Sequence, residues 1–325
     1  MHYTHFSKYD RVRLEAHLKA GLTYRRIADL LGYSIGAISY EINENGGKRK
    51  YDAAKANQKA RRKRKEANQC HRKIGKDDWL TTEVTRLLRK HWSPEQIVGR
   101  FVTEKKIKPT STTAIYDWCN KDKMLYPLLP RKHNKYRRTK IGNDRKEARE
   151  ELNARRSIDQ RPKHIEKRKR IGHWEGDTII GKEKTARILT HTERKTGYLL
   201  ANLLHAVSAE KIRIVSIQMF QNIPSNKKQT ITYDRGTEFA DWELTERELT
   251  MQIYFAHAYH SWERGTNENT NGLIRRYFPK KTLFANIEEV ELEQIVDEVN
   301  HRPRKRLGYR SPYEVFNNVQ LRMLI

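Results

Sequence analysis

The sequence predicts a multidomain protein: an α-helical N-terminal region built on a helix-turn-helix, followed by a C-terminal α/β domain. Three observations carry this. The chain has 325 residues, and at ~100–200 residues per domain that suggests two or three domains. Residues 21–42 carry helix-turn-helix spacing. After Arg170 the chain turns from basic to apolar strand-like runs with frequent acidic residues, among them Thr178-Ile179-Ile180 and Ile231-Thr232-Tyr233.

Composition narrows the partner. There are 67 Lys and Arg against 40 Asp and Glu, a formal charge of +27, and the pI is near 10. Such a balance points to a polyanion, most simply nucleic acid, though ribosomal and merely sticky basic proteins share it. Hydrophobic residues are 36%, low against the ~45–50% of an average soluble domain, so much of the chain must be surface or linker. No run of about 18 apolar residues exists, which excludes a membrane span. The start, Met1-His2-Tyr3-Thr4-His5, lacks the charged-then-apolar pattern of a secretory signal. Two cysteines, Cys70 and Cys119, fit a reducing compartment and make no disulfide framework. A cytoplasmic, nucleic-acid-associated protein is expected.

The elements follow in order. Residues 8–20 read as a helix. Thr23 can N-cap the next one, and Gly32 sits where the chain must turn sharply. Ser34 can cap a third helix, whose Ile38 and Ile42 would face the core. A small Ala28, Gly32 four later and Ile38 six after that form a helix-turn-helix spacing; an ordinary helical hairpin is the alternative. In the major groove, Gly36, Ser39, Tyr40 and Asn43 would reach base edges, with Arg25 and Arg26 near phosphate. Residues 1–47 make this DNA-binding domain. Residues 48–76, with the run Arg61 to Lys65, are a basic linker or helix. Residues 77–125 form a second helix-turn-helix-like unit that binds DNA or only packs, opened by Ser93-Pro94-Glu95-Gln96, an N-cap with a capping-box Gln. Residues 126–170 are a basic linker, and 171–325 the last domain.

Three acidic stretches stand out there: Trp174-Glu175-Gly176-Asp177, Asp234-Arg235-Gly236-Thr237-Glu238-Phe239, and Arg264-Gly265-Thr266-Asn267-Glu268-Asn269-Thr270-Asn271-Gly272. Asp177 lies in a β-prone run, Asp234 closes another, and Glu268 enters a helix. An acidic nest on a basic chain makes sense if cations fill it. Mg²⁺ prefers oxygen ligands, and two such ions stabilise attacking and leaving oxygens in phosphoryl transfer. Gly272, Arg275 and Arg276 share the helix face of Glu268 and would let a DNA backbone approach; Arg264, Asn267 and Asn271 are further candidate DNA contacts.

At these motifs the chain resembles the DDE transposases of the bacterial insertion-sequence family IS-thirty. The resemblance covers nearly the whole chain, and 33 residues separate Asp234 from Glu268, the spacing expected for that family. The tail Asn300-His301-Arg302-Pro303-Arg304-Lys305 and Ser311-Pro312-Tyr313-Glu314 is similar too. The resemblance implies an RNase H-like catalytic fold of the retroviral-integrase type. Asp177, Asp234 and Glu268 would then be catalytic and would hold two Mg²⁺ ions per site, with Mn²⁺ able to substitute. It also implies an N-terminal region that binds terminal inverted repeats of double-stranded DNA, and a homodimer or higher assembly on that DNA. Hydrolysis at the element end would free a 3′-OH that attacks a second phosphodiester. The sequence departs from the family pattern at Arg235, at Tyr40 and at His257, which interrupts an Ala-Asp-Pro-like stretch.

Two competitors stay open: a transposase-derived DNA-binding regulator without catalysis, and a nuclease of the same fold. His191 and His205 read as ordinary strand or surface residues. Cys70-His71 lacks a matching second pair for zinc. Trp174 and Trp262 read as core, or as surfaces for a splayed base. Glu175 and Glu238 either support the acids or are purely structural.

Overall fold

The computed structural model describes residues 5–70, 73–105, 109–130, 155–258 and 260–320. It divides into two compact units, 1–78 and 79–325. The basic stretch 131–154, with Arg137-Arg138, and His71 of the Cys70-His71 pair lie outside the described residues.

The first unit is helical: α1 (Lys8–Lys19), α2 (Tyr24–Leu31), α3 (Ile35–Glu44) and α4 (Ala53–Cys70). Its helix starts are chemically marked. Ser7 and Asp10 form a capping box on α1, Thr23 accepts from the Arg26 amide, and Ser34 from the Ala37 amide. Gly32 ends α2 with φ of 73°, a left-handed conformation that a side chain would strain. Leu14, Ile27, Ala28, Ile38 and Ile42 form its core with Phe6 and Tyr51. Arg11 is buried there because Glu41 accepts its Nε at 2.7 Å.

The second unit joins helices to one mixed sheet. Helices α5 (Asp78–Arg89), α6 (Pro94–Lys105) and α7 (Thr112–Cys119) come first. Then β1 (His173–Ile180), β2 (Arg187–Glu193) and β3 (Leu199–Leu204) make an antiparallel meander. After α8 (Ala209–Phe220), β4 (Thr230–Tyr233) returns parallel to β1. After α9 (Trp242–Leu249), β5 (Gln252–Phe255) adds parallel to β4. The sheet order is β3-β2-β1-β4-β5. Helices α10 (Gly265–Ile274), α11 (Glu289–His301) and α12 (Pro312–Asn317) close the chain.

Strand alternation supplies a core on each face. Trp174, Leu189, Ile231 and Tyr233 pack with Ile212 and Phe220 of α8 and Phe316 of α12. Ile179 and Ile188 face the other way, toward Ile274 of α10 and Leu292, Ile295 and Val299 of α11.

One segment differs from expectation. Residues 155–170, expected as linker, pack on the sheet. Arg155 lies over the Phe255 ring, Arg156 pairs with Glu246 at 2.7 Å, and buried Arg161 donates to Thr232 and Glu166. Cations that read as linker charge are thus spent on internal partners. The unit opened by α6 packs on the C-terminal tail: buried Arg100 is paired with both Glu104 and Glu314. Gly99 leaves no space for a Cβ, which would sit 2.2 Å from the Tyr309 ring. The Ser93–Gln96 capping box is present, and Gln96 also reaches the Pro303 carbonyl.

Candidate active site

Strand pairing brings the first two acids together. The parallel register sets Trp174 against Ile231 and Glu175 against Thr232. Continued two residues, it sets Asp177 level with Asp234, just past the end of β4. Gly176 is required beside them, since a Cβ would meet the Tyr233 ring at 2.2 Å.

Helix α10 lies along β1 in matched steps. Four helical residues rise about 6 Å and two strand residues about 6.6 Å. Asn267, Asn271 and Ile274 therefore meet Glu175, Asp177 and Ile179 in turn. Glu175 Oε2 accepts the Asn267 amide at 2.9 Å, securing the first turn of the helix. Its Oε1 accepts Arg194 Nε at 3.0 Å in a fully buried pair. Asn271 Nδ2 donates to Asp177 Oδ2 at 2.9 Å. Asp177 Oδ1 accepts the Thr178 amide, and Asp234 Oδ1 the Gly236 amide. On β2, Thr192 donates to Asn267 at 2.8 Å and Thr190 to Asn271 at 3.1 Å.

A guanidinium sits between the two aspartates. Arg264 donates to Asp234 Oδ2 at 3.0 Å and to the Gly176 carbonyl at 3.1 Å, and lies 3.5 Å from Asp177 Oδ1. Burial pushes the Asp177 carboxyl up to about 6; Arg264 opposes the shift and Asp234 adds to it. The pair thus already hosts a positive charge, and its all-oxygen donor set suits a hard divalent cation. Glu268 is exposed on α10, one turn beyond Arg264. Among the described residues, only His257, His260 and Glu263 bring three such ligand atoms within 4.8 Å of one another. The three acids therefore do not converge to that distance: Arg264 stands between the aspartates, and Glu268 remains outside them.

No family model matches the chain. It is 35% identical to the transposase for insertion sequence element IS4351 of Bacteroides fragilis, over 97% of this chain and 96% of that one. It is 34% identical to transposase InsI for element IS30A of Escherichia coli K12, over 96% and 83%. It is 30% identical to the transposase for element IS1086 of Cupriavidus metallidurans, over 95% and 93%. The chain belongs to the IS30 family of insertion-sequence transposases. Among solved structures, the catalytic core domain of BIV integrase is similar at 18% identity and a TM-score of 0.36, over 45% of this chain and 94% of that one.

Several residues of this IS30-family chain expected to meet DNA have protein partners instead. Asn267 is fully buried between α10 and β2. Asn271 orients Asp177. Arg275 donates to the Ile180 carbonyl at 2.7 Å and lies over Phe284. Arg276 donates to the carbonyls of His91 and Leu128, tying α10 to the helical segment. Their polarity serves the fold because the helix lies on a strand rather than in solvent. In the first unit, Arg25, Arg26, Gly36, Tyr40 and Asn43 are exposed and Ser39 half-buried, with Asn43 donating to Ser39 at 3.4 Å.

Sequence reading missed Thr190 and Thr192. The available signal was an Asn pair four apart on a helix facing a Thr pair two apart on a strand. Glu238 accepts from Arg187 at 2.8 Å and from Thr178. His191 is buried against the Tyr233 hydroxyl at 3.0 Å, and His205 is exposed. Trp174 is core, whereas Trp262 is 68% exposed. Among the described residues, no helix is long and apolar enough to cross a membrane.

Proposed function

We propose that the protein is a transposase that binds the inverted repeats of its element, cleaves at the element end and joins the freed 3′-OH to a second DNA. The observation that carries the reading is Asp177 and Asp234, side by side on adjacent parallel strands and sharing a cation, with the Glu268 helix laid along β1. The sheet order, three antiparallel strands followed by two parallel ones, supports an RNase H-like catalytic domain.

Asp177, Asp234 and Glu268 would hold the divalent ions, Mg²⁺ by the hardness of their oxygens, with Mn²⁺ able to substitute. When bound, the ions supply charge stabilisation to the attacking and leaving oxygens. The chain's own residues do the rest. Asn271 and the Thr178 amide fix the two oxygens of Asp177, and the Gly236 amide fixes Asp234. Arg264 must exchange its carboxylates for another acceptor, and a DNA phosphate is the natural one. Buried Asn267 and the Glu175–Arg194 pair hold α10 in register. In the first unit, α2 and α3 are read as a helix-turn-helix, with α3 in the major groove and Arg25 and Arg26 at phosphate. A homodimer or higher assembly is expected from the need to pair two DNA ends.

The test is strand joining. A labelled duplex bearing the flanking inverted repeat is incubated with supercoiled target, Mg²⁺ and either wild type or Glu268→Gln. Both should shift the duplex, and only wild type should join label to target. Shifting without cutting or joining by wild type, across Mg²⁺ and Mn²⁺, would favour the non-catalytic regulator. Joining by Glu268→Gln would remove that glutamate from the site.

A further inference from the structure

We infer that His257, His260 and Glu263 form a second metal site, one for a borderline divalent ion of the zinc type, apart from the paired aspartates. The inference does not rest on the transposase reading. The three residues recur every third position between the end of β5 and the start of α10, and a 3₁₀ turn, Ser261–Arg264, carries the last of them. Three residues per turn place the N-cap His260 and Glu263 on one side.

The geometry is already close to a coordination sphere. Nδ1 of His257 lies 2.8 Å from Glu263 Oε1, and Nδ1 of His260 lies 3.3 Å from the same oxygen. Tetrahedral ligands at ~2.0–2.2 Å from zinc stand roughly 3.4 Å apart, so each imidazole nitrogen needs to move from Oε1 by only a fraction of an ångström. Both imidazoles present the same nitrogen to the same point.

The surroundings hold these donors in place. On its far nitrogen, His257 Nε2 meets Asp159 Oδ2 at 2.8 Å. A carboxylate there keeps a proton on Nε2, so that Nδ1 is the nitrogen that loses its proton to an ion, the usual outer support of a metal-bound histidine. Glu263 Oε2 accepts the His257 backbone N–H at 2.8 Å, which reserves Oε1 for the ion. The His260 ring stacks on Trp262 at 4.3 Å. Each of the three ligands is half-buried, so an ion has a path in.

Donor chemistry separates this site from the aspartates. Two imidazoles and one carboxylate select zinc-like ions, whereas an all-oxygen pair selects Mg²⁺. The ion takes the place of the two protons that His257 and His260 direct from Nδ1 at Glu263; the His257 proton leaves to solvent, and the His260 proton leaves or moves to its own Nε2. One coordination position at least stays open to water. Because Arg264 follows Glu263 directly, an ion here stiffens the chain entering α10 and ties it to residue 159.

The experiment uses the full chain in excess Mg²⁺. Zn²⁺ is titrated by calorimetry, and Co²⁺ is followed by its visible d–d absorption. One equivalent should bind to wild type and equally to Asp177→Asn. His260→Ala and His257→Ala should each weaken it about 100-fold or more, and Asp159→Asn by ~10–100-fold. Circular dichroism checks that each variant is folded, and His260→Gln replaces any that is not. Absence of Zn²⁺ binding to wild type overturns the proposal. So does binding that survives in the histidine variants, binding lost in Asp177→Asn, or a Co²⁺ spectrum with thiolate charge-transfer bands.

Discussion

Replacing Glu175 by Gln tests how helix α10 is held. Both of its oxygens are acceptors on a fully buried side chain: Oε1 takes Arg194 Nε at 3.0 Å and Oε2 takes the Asn267 amide at 2.9 Å. Glutamine has one acceptor. Whichever way it is turned, one N–H is set against another. Arg194 meanwhile keeps its charge, and its remaining counter-charge is Glu166, at 3.4 Å on a side chain 60% exposed. Breaking one side of a buried ion pair costs about 3–5 kcal/mol. At roughly 2–4 °C per kcal/mol for a unit of this size, the midpoint should fall by about 6–20 °C. Urea unfolding followed by far-UV circular dichroism should show a lower midpoint with an unchanged slope. The double variant Glu175→Gln with Arg194→Met removes both charges and should be more stable than the sum of the singles predicts. A cost under about 1 kcal/mol, or strict additivity, would refute the view that this pair anchors α10.

Asn271→Leu removes the donor that orients Asp177 without touching an acid, so strand joining should fall ~10–100-fold while duplex binding is retained; equal loss of both would point to misfolding. Arg25→Ala should reduce the salt slope of duplex binding by about one unit, since Arg25 is read as a phosphate contact. Arg276→Ala, whose guanidinium is committed to the His91 and Leu128 carbonyls, should leave that slope unchanged and lower the melting temperature. The sheet-bearing unit should lose stability in acid. Burial lowers His191 to about 3, and His173 and His91 to about 4. Between those values and 6.5 the unfolded chain holds more protons, so stability rises with pH across that window. Each such histidine contributes up to about 1.4 kcal/mol per pH unit. Asp177, raised to about 6, and Glu193, also raised by burial, work in the opposite direction and shallow the slope. Unfolding midpoints at pH 7, 6 and 5 read this directly, and a flat profile would contradict it.

What was legible in the sequence was local. Gly32 marks a left-handed turn because no side chain tolerates φ of 73° cheaply, and Ser34 marks a helix start because its hydroxyl caps an amide within the next turn. Asp177 and Asp234 could be placed at strands because an apolar run follows the first and another leads into the second. The roles of Asn267, Asn271, Arg275 and Arg276 were not legible. Each is polar, and a polar residue in a basic chain reads as a DNA contact until its partner is known. The partners lie far along the chain: Glu175 is 92 residues from Asn267, and His91 is 185 from Arg276. Only the stacking of a helix on a strand reveals them.

The same blindness affects charge. A count of +27 treats every cation as available to a polyanion. Arg11, Arg100, Arg155, Arg161, Arg194 and Arg302 are buried, and Arg11, Arg100, Arg161 and Arg194 are paired with carboxylates inside the fold. Arginine suits this use because its planar fork can satisfy a carboxylate and a carbonyl together, as Arg264 does with Asp234 and the Gly176 carbonyl. The cations left for DNA are therefore not those with the most polar neighbours in sequence. Those read as meeting phosphate, like Arg25 and Arg26, are exposed on a helix whose other face is committed to a core.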